Sequence, residues 1–374
     1  MFDYSERIES FRDKKVRLSA ELLDKLFAHR KANRDRLIGR LPDQIAGLTI
    51  GESSFRPQGS SATQTIIQTR FTEEEYDIDD GLVLWHHQLV KQDGTELTAD
   101  EVKQMVREAL KDPRFSRQPR ICSNCVRVFY ADEDEEKHHV DFPVYRGWEK
   151  ENGDSLRELA GESGWTPSDP TQVNVWFNGL VKSRNATTNG WGTQLRQLVQ
   201  LTKRFCRSRP DTEWDMPNGM KLTMLVAECQ PAYDARIDCA FRSLLERLKS
   251  RLAFDKNIRN LAHPDRPAIT KTTSDGNVVE FLKHIGEAIS QLLPLDRTEN
   301  DNEKSAREAW DWIFKSDGFF KEFDDQKREK DKKDALLAKA AQISLGAKTS
   351  SLGVIGSVGV ANMAHKFYGD PSDS

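Results

Sequence analysis

YDIDDGLVLW, residues 76–85, places two carboxylates, Asp77 and Asp79, two residues apart just ahead of the apolar run Leu82-Val83-Leu84-Trp85. The segment reads as a β-strand. Alternate side chains of a strand share a face, so Asp77 and Asp79 point the same way while Ile78 turns to the core. Two carboxylates on one face repel each other unless a cation sits between them. Oxygen donors of this kind suit Mg²⁺, which is commonly held by one or two carboxylates together with substrate phosphates. The run Glu73-Glu74-Glu75 just upstream leaves a plainer reading open, an acidic solvated turn.

Downstream, HHVDFPVY at residues 138–145 is a second β-run with Asp141 among apolar neighbours, a costly place for a charge that is neither paired nor bound to metal. His139 and Asp141 share one face of it, Val140 and Phe142 the other. Upstream, Gln58-Gly59-Ser60 forms a turn whose glycine permits an unusual backbone and whose amides can cradle an anion such as a polyphosphate. Three aspartates on adjacent strands beside a Gly-Ser anion turn meet the needs of two-metal phosphoryl or nucleotidyl transfer.

The flanking sequence predicts a mixed α+β fold. Residues 1–40 carry Ile8, Phe11, Val16, Leu22, Leu26 and Phe27 at helical spacing. β-like runs at 65–69, 81–87, 126–131 and 138–145 are interrupted by a helix at 98–111, where Thr98 and Glu101 form a capping-box pattern. From residue 169 onward the pattern is helical, over 171–183, 193–209, 221–229, 239–254, 278–292 and 303–314. Residues 321–339 read as a charged helix or linker, and 344–374 as a Gly/Ser/Ala-rich mobile tail. The expected divisions are 1–165, 166–320 and 321–374. Lys+Arg 56 against Asp+Glu 60 leaves a net charge of −4, which argues against a protein built to coat nucleic acid. No apolar run is long enough for a membrane span or, at the start, a signal peptide, and five cysteines form no disulfide framework. A soluble cytoplasmic protein is expected.

Gly59-Ser60, Asp77-x-Asp79 and Asp141 together resemble the polymerase-β-type nucleotidyltransferase superfamily. QGSSAT, DIDDG and VDFPVY resemble more closely the bacterial cGAS/DncV-like nucleotidyltransferases (CD-NTases) of the anti-phage CBASS systems. The likeness is sharp over residues 55–145 and looser to about 292. It implies a polymerase-β-like nucleotidyltransferase lobe with a small mixed sheet, braced by an N-terminal helix, plus a helical C-terminal lobe. The implied activity joins two or three nucleoside triphosphates, ATP and GTP among them, into a cyclic dinucleotide or trinucleotide with release of pyrophosphate. Asp77, Asp79 and Asp141 would be the catalytic residues and would hold two Mg²⁺ ions, with Mn²⁺ as a substitute. Gln58, Gly59 and Ser60 would bind donor phosphates with Lys203 and Thr223, and Asp275 lies in a loop assigned to a base. The resemblance also implies capture of the C-terminal tail by an E1/E2-like conjugating partner. The tail continues past Phe367-Tyr368-Gly369, so conjugation at a terminal glycine would need trimming.

Three departures stand out. The step from Ser60 to Asp77 is long for the superfamily, Asp80 replaces an apolar residue, and Thr63 stands about where a base-stacking aromatic is expected. Arg196, Lys203, Arg204, Arg207 and Arg209 lie in an acid-free segment, read either as a phosphate-binding stripe or as a solvated basic face. Cys122-x-x-Cys125 with His138 and His139 is set aside as a zinc site, because adjacent strand histidines point to opposite faces. Two rival functions stay open: transfer of a nucleotide to RNA ends, a protein or a small molecule, and a nucleotide-binding scaffold without turnover.

Overall fold

The structure, a computed structural model, describes residues 1–68, 76–130, 137–149, 155–270, 272, 275–346, 348–349, 355–356 and 360–361. The chain opens with α1 (Ser5–Phe11), a π-helical turn (Arg12–Val16) and α2 (Ala20–Arg40). There follow β1 (Phe55–Gln58), α3 (Gly59–Ala62), β2 (Tyr76–Trp85), α4 (Ala99–Leu110), β3 (Arg120–Ile121), β4 (Val126–Tyr130), β5 (His138–Phe142), β6 (Val144–Glu149), β7 (Ser155–Gly161) and β8 (Gly164–Pro167). The helices α5 (Gln172–Thr187), α6 (Trp191–Cys206), α7 (Gly219–Cys229), α8 (Ile237–Phe254), α9 (Gly276–Leu292) and α10 (Glu303–Phe314) come next. Residues Met1–Ser316 form one compact unit and Asp317–Ser374 a second.

The expected α+β architecture is present. One mixed sheet has the order β3-β4-β5-β2-β6-β7-β8, with β1 antiparallel to β2. The 138–145 run is two strands rather than one, because Pro143 has no amide to donate. Both pieces keep a single parallel register along β2, Tyr76↔His138 to Asp79↔Asp141 and then Leu82↔Val144 to Trp85↔Gly147. Alternation on β2 sends Ile78, Leu82 and Leu84 into a core shared with Leu26 and Leu37 of α2, Val102 and Val106 of α4, and Val128, Val140 and Phe142 of the sheet. The capping box of α4 is formed: the Thr98 hydroxyl accepts from the Glu101 amide at 3.2 Å and the Glu101 carboxylate from the Thr98 amide at 2.8 Å.

The helical pattern of residues 1–40 is met by two helices with the π-helical turn Arg12–Val16 between them, and α1 packs on α8, where Asp238 accepts from the Tyr4 amide at 3.0 Å. Other readings need correcting. No strand forms over Thr65–Gln68, whose start is folded back on the Gly59 turn. In the second unit the charged stretch is a helix, one of its two expected forms: it belongs to α11 (Phe319–Gly346), exposed throughout 328–341. Within the tail, β9 (Lys348–Thr349) pairs with β10 (Ile355–Gly356) and β11 (Val360–Ala361), where β-branched residues interrupt the glycines. Phe367-Tyr368-Gly369 lies outside the described residues. Among the described residues no helix is long and apolar enough to cross a membrane.

Candidate active site

Strand pairing lines up one row of residues across the sheet. Gln58 faces Asp79, Asp79 faces Asp141, Asp141 faces Arg127, and Arg127 faces Arg120. In the next row Asp77 faces His139. Residues in register on neighbouring strands, and those two apart on one strand, share a face, so Asp77, Asp79, His139 and Asp141 gather on the same side. His139 Nε2 lies 3.3 Å from Asp77 Oδ1 and 3.9 Å from Asp141 Oδ2. Asp77, His139 and Asp141 each offer a ligand atom, all within 4.8 Å of one another.

Asp79 lies beside this trio. Its carboxylate rests against the glycine turn: a Cβ on Gly59 would come within 2.0 Å of Asp79 Oδ2, and Gly59 has φ +67°. Glycine is therefore required there twice, for the backbone and for the contact. Burial, reinforced by Asp77 and Asp141, pushes the Asp79 carboxyl up to about 8. Burial lowers the His139 pKa, but Asp77 and Asp141 outweigh it and the net direction is up. A crowd of carboxylates that drives one of its members toward protonation is an environment that a divalent cation relieves, and its oxygen donors fit Mg²⁺ or Mn²⁺. The residues present fit such an ion.

Lys203 joins the site through the turn. Its Nζ donates to the Thr65 carbonyl at 3.0 Å and to Thr65 Oγ1 at 3.2 Å, while the Thr65 amide donates to the Ser60 carbonyl at 2.8 Å. Burial, then Arg207, lowers Lys203 to about 7, opposed by Asp77 and Asp79. A cavity of about 220 Å³ opens beside it, lined by Lys203, Arg207, Asn218 and Gly219 among others. Among the described residues Thr223 and Asp275 have no hydrogen bond to the acidic row. The Thr223 hydroxyl donates to the Gly219 carbonyl at 2.7 Å, and Asp275 accepts from Lys221 Nζ at 2.7 Å.

The arginines around Lys203 are not a solvated stripe. Arg204 and Arg209 are buried, and Arg209 donates to the Ile313 and Trp312 carbonyls and stacks on Trp214. Arg196 donates to the Thr63 carbonyl at 3.2 Å, and Arg207 alone of the five is exposed. Asp80 is likewise inside: with its side chain fully buried, it accepts from Arg34 Nε at 2.6 Å and Nη2 at 2.7 Å. The Cys125 thiol borders the acidic row: burial, then Asp141, pushes its pKa up, while Arg127 opposes the rise.

A family model described as the nucleotidyltransferase domain of DncV-like cyclic GMP-AMP synthases matches residues 53–145, the stretch that carries the glycine turn and all three aspartates. By that match residues 53–145 are similar to a DncV-like nucleotidyltransferase domain. A cyclic GMP-AMP synthase of Escherichia albertii is 22% identical over 244 residues, which cover 61% of this chain and 49% of that protein. The match thus spans about half the length of that relative. The crystal structure of Vibrio cholerae DncV cyclic AMP-GMP synthase with the linear intermediate 5′ pppA(3′,5′)pG aligns at TM-score 0.65 and 16% identity, over 84% of this chain and 95% of that one. A mutant of the Vibrio cholerae di-nucleotide cyclase DncV in complex with ATP, GTP and 5MTHFGLU2 aligns equally well, over 84% and 96%. At that identity the likeness establishes the fold.

Within residues 53–145 the structure brings together Asp77, Asp79, Asp141 and the glycine turn, which sequence reading had grouped. That reading missed Arg127, which holds Asp141, and Tyr145, whose hydroxyl donates to Gln58 Oε1 at 3.2 Å. Tyr145 had a signal, because it follows Asp141 by four residues and returns to the same face. Arg127 had none, since its register depends on the hairpin between β4 and β5.

Proposed function

We propose that the chain is a cyclic oligonucleotide synthase that joins nucleoside triphosphates into a cyclic dinucleotide or trinucleotide, releasing pyrophosphate, as a messenger in anti-phage defence. The supporting observation is the row Gln58–Asp79–Asp141, which sets two carboxylates in register beside the Gly59 turn, within the stretch that matches the DncV-like nucleotidyltransferase model. Asp77, Asp79 and Asp141 would hold two divalent ions, Mg²⁺ in the cell. Bound there, such ions supply Lewis-acid charge that acidifies a ribose hydroxyl and neutralises a triphosphate. The chain's own residues do the remaining work. Gln58, Gly59 and Ser60 receive the donor phosphates, and Lys203, held at the same turn, supplies a cation once a phosphate restores its proton. Asp141 would hold the ion that lowers the pKa of the attacking ribose hydroxyl. Thr223 belongs to the donor side through α7, and Asp275 to the base side at the start of α9.

In this reading residues 1–165 form the catalytic lobe, 166–320 the helical lobe that closes the cleft, and 321–374 the segment presented to an E1/E2-like partner. The five free cysteines accord with work in the reducing cytoplasm. The names of the relatives make ATP with GTP the first pair to try. Purified protein incubated with radiolabelled ATP, GTP, CTP and UTP and Mg²⁺ is expected to give a phosphatase-resistant product of cyclic mass. Label found only in added tRNA or protein would replace the proposal with a modifying transferase. Binding without any product would make the chain a scaffold.

A further inference from the structure

Asp141 is already occupied by a neighbour. Arg127 Nε donates to Asp141 Oδ1 at 2.8 Å and Nη2 to Oδ2 at 2.7 Å, a full fork on the carboxylate. The sheet builds this pair, because Arg127 and Asp141 are register partners across β4 and β5. Among the described residues Arg127 has no other ion-pair partner, and the residue facing it from β3 is another arginine, Arg120. The Asp141 side chain is 7% exposed and that of Arg127 27%, so the guanidinium has room to leave and the carboxylate does not.

We propose that Arg127 is a counter-ion latch on the metal site. It keeps Asp141 closed to a divalent ion arriving alone and releases it when a nucleoside triphosphate arrives with that ion. The inference rests on the reading of Asp141 as a metal ligand. A bare cation reaching Asp141 must lie within a few ångströms of a guanidinium in a half-buried site, where like charges repel strongly. Displacing Arg127 into water instead forfeits both of its charge-assisted bonds. A metal-bound triphosphate removes both obstacles, since it brings the cation that Asp141 needs and phosphate oxygens that a guanidinium binds in the same fork geometry. Metal and nucleotide then bind with positive coupling, and the coupling is carried by one side chain. Arg127 acts here through Asp141 and is a positioning residue.

The test is Mn²⁺ binding read by electron paramagnetic resonance on the full chain, with and without a non-hydrolysable ATP analogue. Wild-type protein should bind Mn²⁺ weakly alone and more tightly with the analogue. In Arg127→Met, Mn²⁺ alone should bind at least about tenfold more tightly, and the gain conferred by the analogue should shrink by the same factor. Arg127→Lys, which keeps the charge and loses the fork, should move both quantities the same way by less, and it decides the matter if Arg127→Met does not fold. Unchanged or weaker Mn²⁺ binding in these variants, while Asp141→Asn still weakens binding in the presence of the analogue, overturns the latch and leaves the metal reading intact. If Asp141→Asn alters neither measurement, the metal reading falls and the latch falls with it.

Discussion

Asp79 is the residue on which the site's electrostatics converge. Half-buried beside Asp77 and Asp141, its carboxyl sits at about 8, far above the ordinary value for an unfolded aspartate. A raised carboxyl stabilises the fold fully at low pH and loses that contribution as pH climbs toward the folded pKa. In EDTA, wild-type stability should therefore fall between about pH 5 and 7, with a slope of up to about 1.4 kcal/mol per pH unit. Asp79→Asn should flatten that slope in urea melts and abolish nucleotide joining; equal slopes, or near wild-type turnover, would remove Asp79 from the proposed metal site. Lys203 titrates the other way. Held near 7 by burial, it is mostly neutral at pH 8, and a bound triphosphate should return its proton. Nucleotide binding in EDTA at pH 8 should then take up about one proton more than in Lys203→Met, measured by calorimetry in buffers of different ionisation enthalpy. Identical uptake in the two proteins would place the triphosphate elsewhere. Asp77, Asp79, Asp141 and Gly59 were legible in the sequence because a two-residue period and a lone glycine are local signals. The buried state of Lys203 and the grip of Arg127 were not, because both depend on chain that is distant in sequence.

At the scale of elements, α2 is joined to the sheet by a buried ion pair as well as by Leu26 and Leu37. Arg34 reaches from α2 to Asp80 on β2, donates also to Glu52 at 2.9 Å, and lies over the Phe55 ring at 4.9 Å. Burial raises the Asp80 carboxyl and Arg34 opposes the rise, so removing Arg34 strands a charge with no water around it. Arg34→Met should cost about 3–5 kcal/mol in urea unfolding, and adding Asp80→Leu should recover most of that loss. A single-variant loss below about 1 kcal/mol would mean that water reaches Asp80 once Arg34 is gone. The departure of Asp80 from the expected apolar type is thus structural in origin. The same contrast explains which elements the sequence revealed. The α4 helix carries its own start signal in Thr98 and Glu101, whereas the cations between residues 196 and 209 allowed two readings because nothing local announces that backbone carbonyls and a tryptophan ring will receive Arg209.

At the scale of the whole molecule, the helical half supports the turn that carries Gly59. Asn174 and Asn178 of α5 donate to the Pro57 and Ala62 carbonyls at 2.8 and 3.3 Å, and Arg196 and Gln200 of α6 to those of Thr63 and Gln64 at 3.2 and 3.1 Å. With Lys203 on Thr65, side chains of two helices thus grip the turn from Pro57 to Thr65. The N-terminal segment closes the same unit, since Arg236 beside α8 donates to the Phe2 carbonyl at 3.0 Å and Arg7 pairs with Glu303 at 3.1 Å. Every residue assigned to substrate or metal lies within Met1–Ser316, and none lies in the second unit. A chain ending after Gln342 keeps the first unit whole together with most of α11, and loses only the far end of that helix and the tail. Its rate of nucleotide joining with nucleoside triphosphates alone should stay within about twofold of the full chain, since every residue assigned to the reaction lies in the first unit. Capture by an E1/E2-like partner, followed as a covalent adduct on a denaturing gel, should disappear. Loss of basal joining in the truncated chain would mean that the second unit completes the catalytic site, and the boundary at Ser316 would then cease to be a functional one.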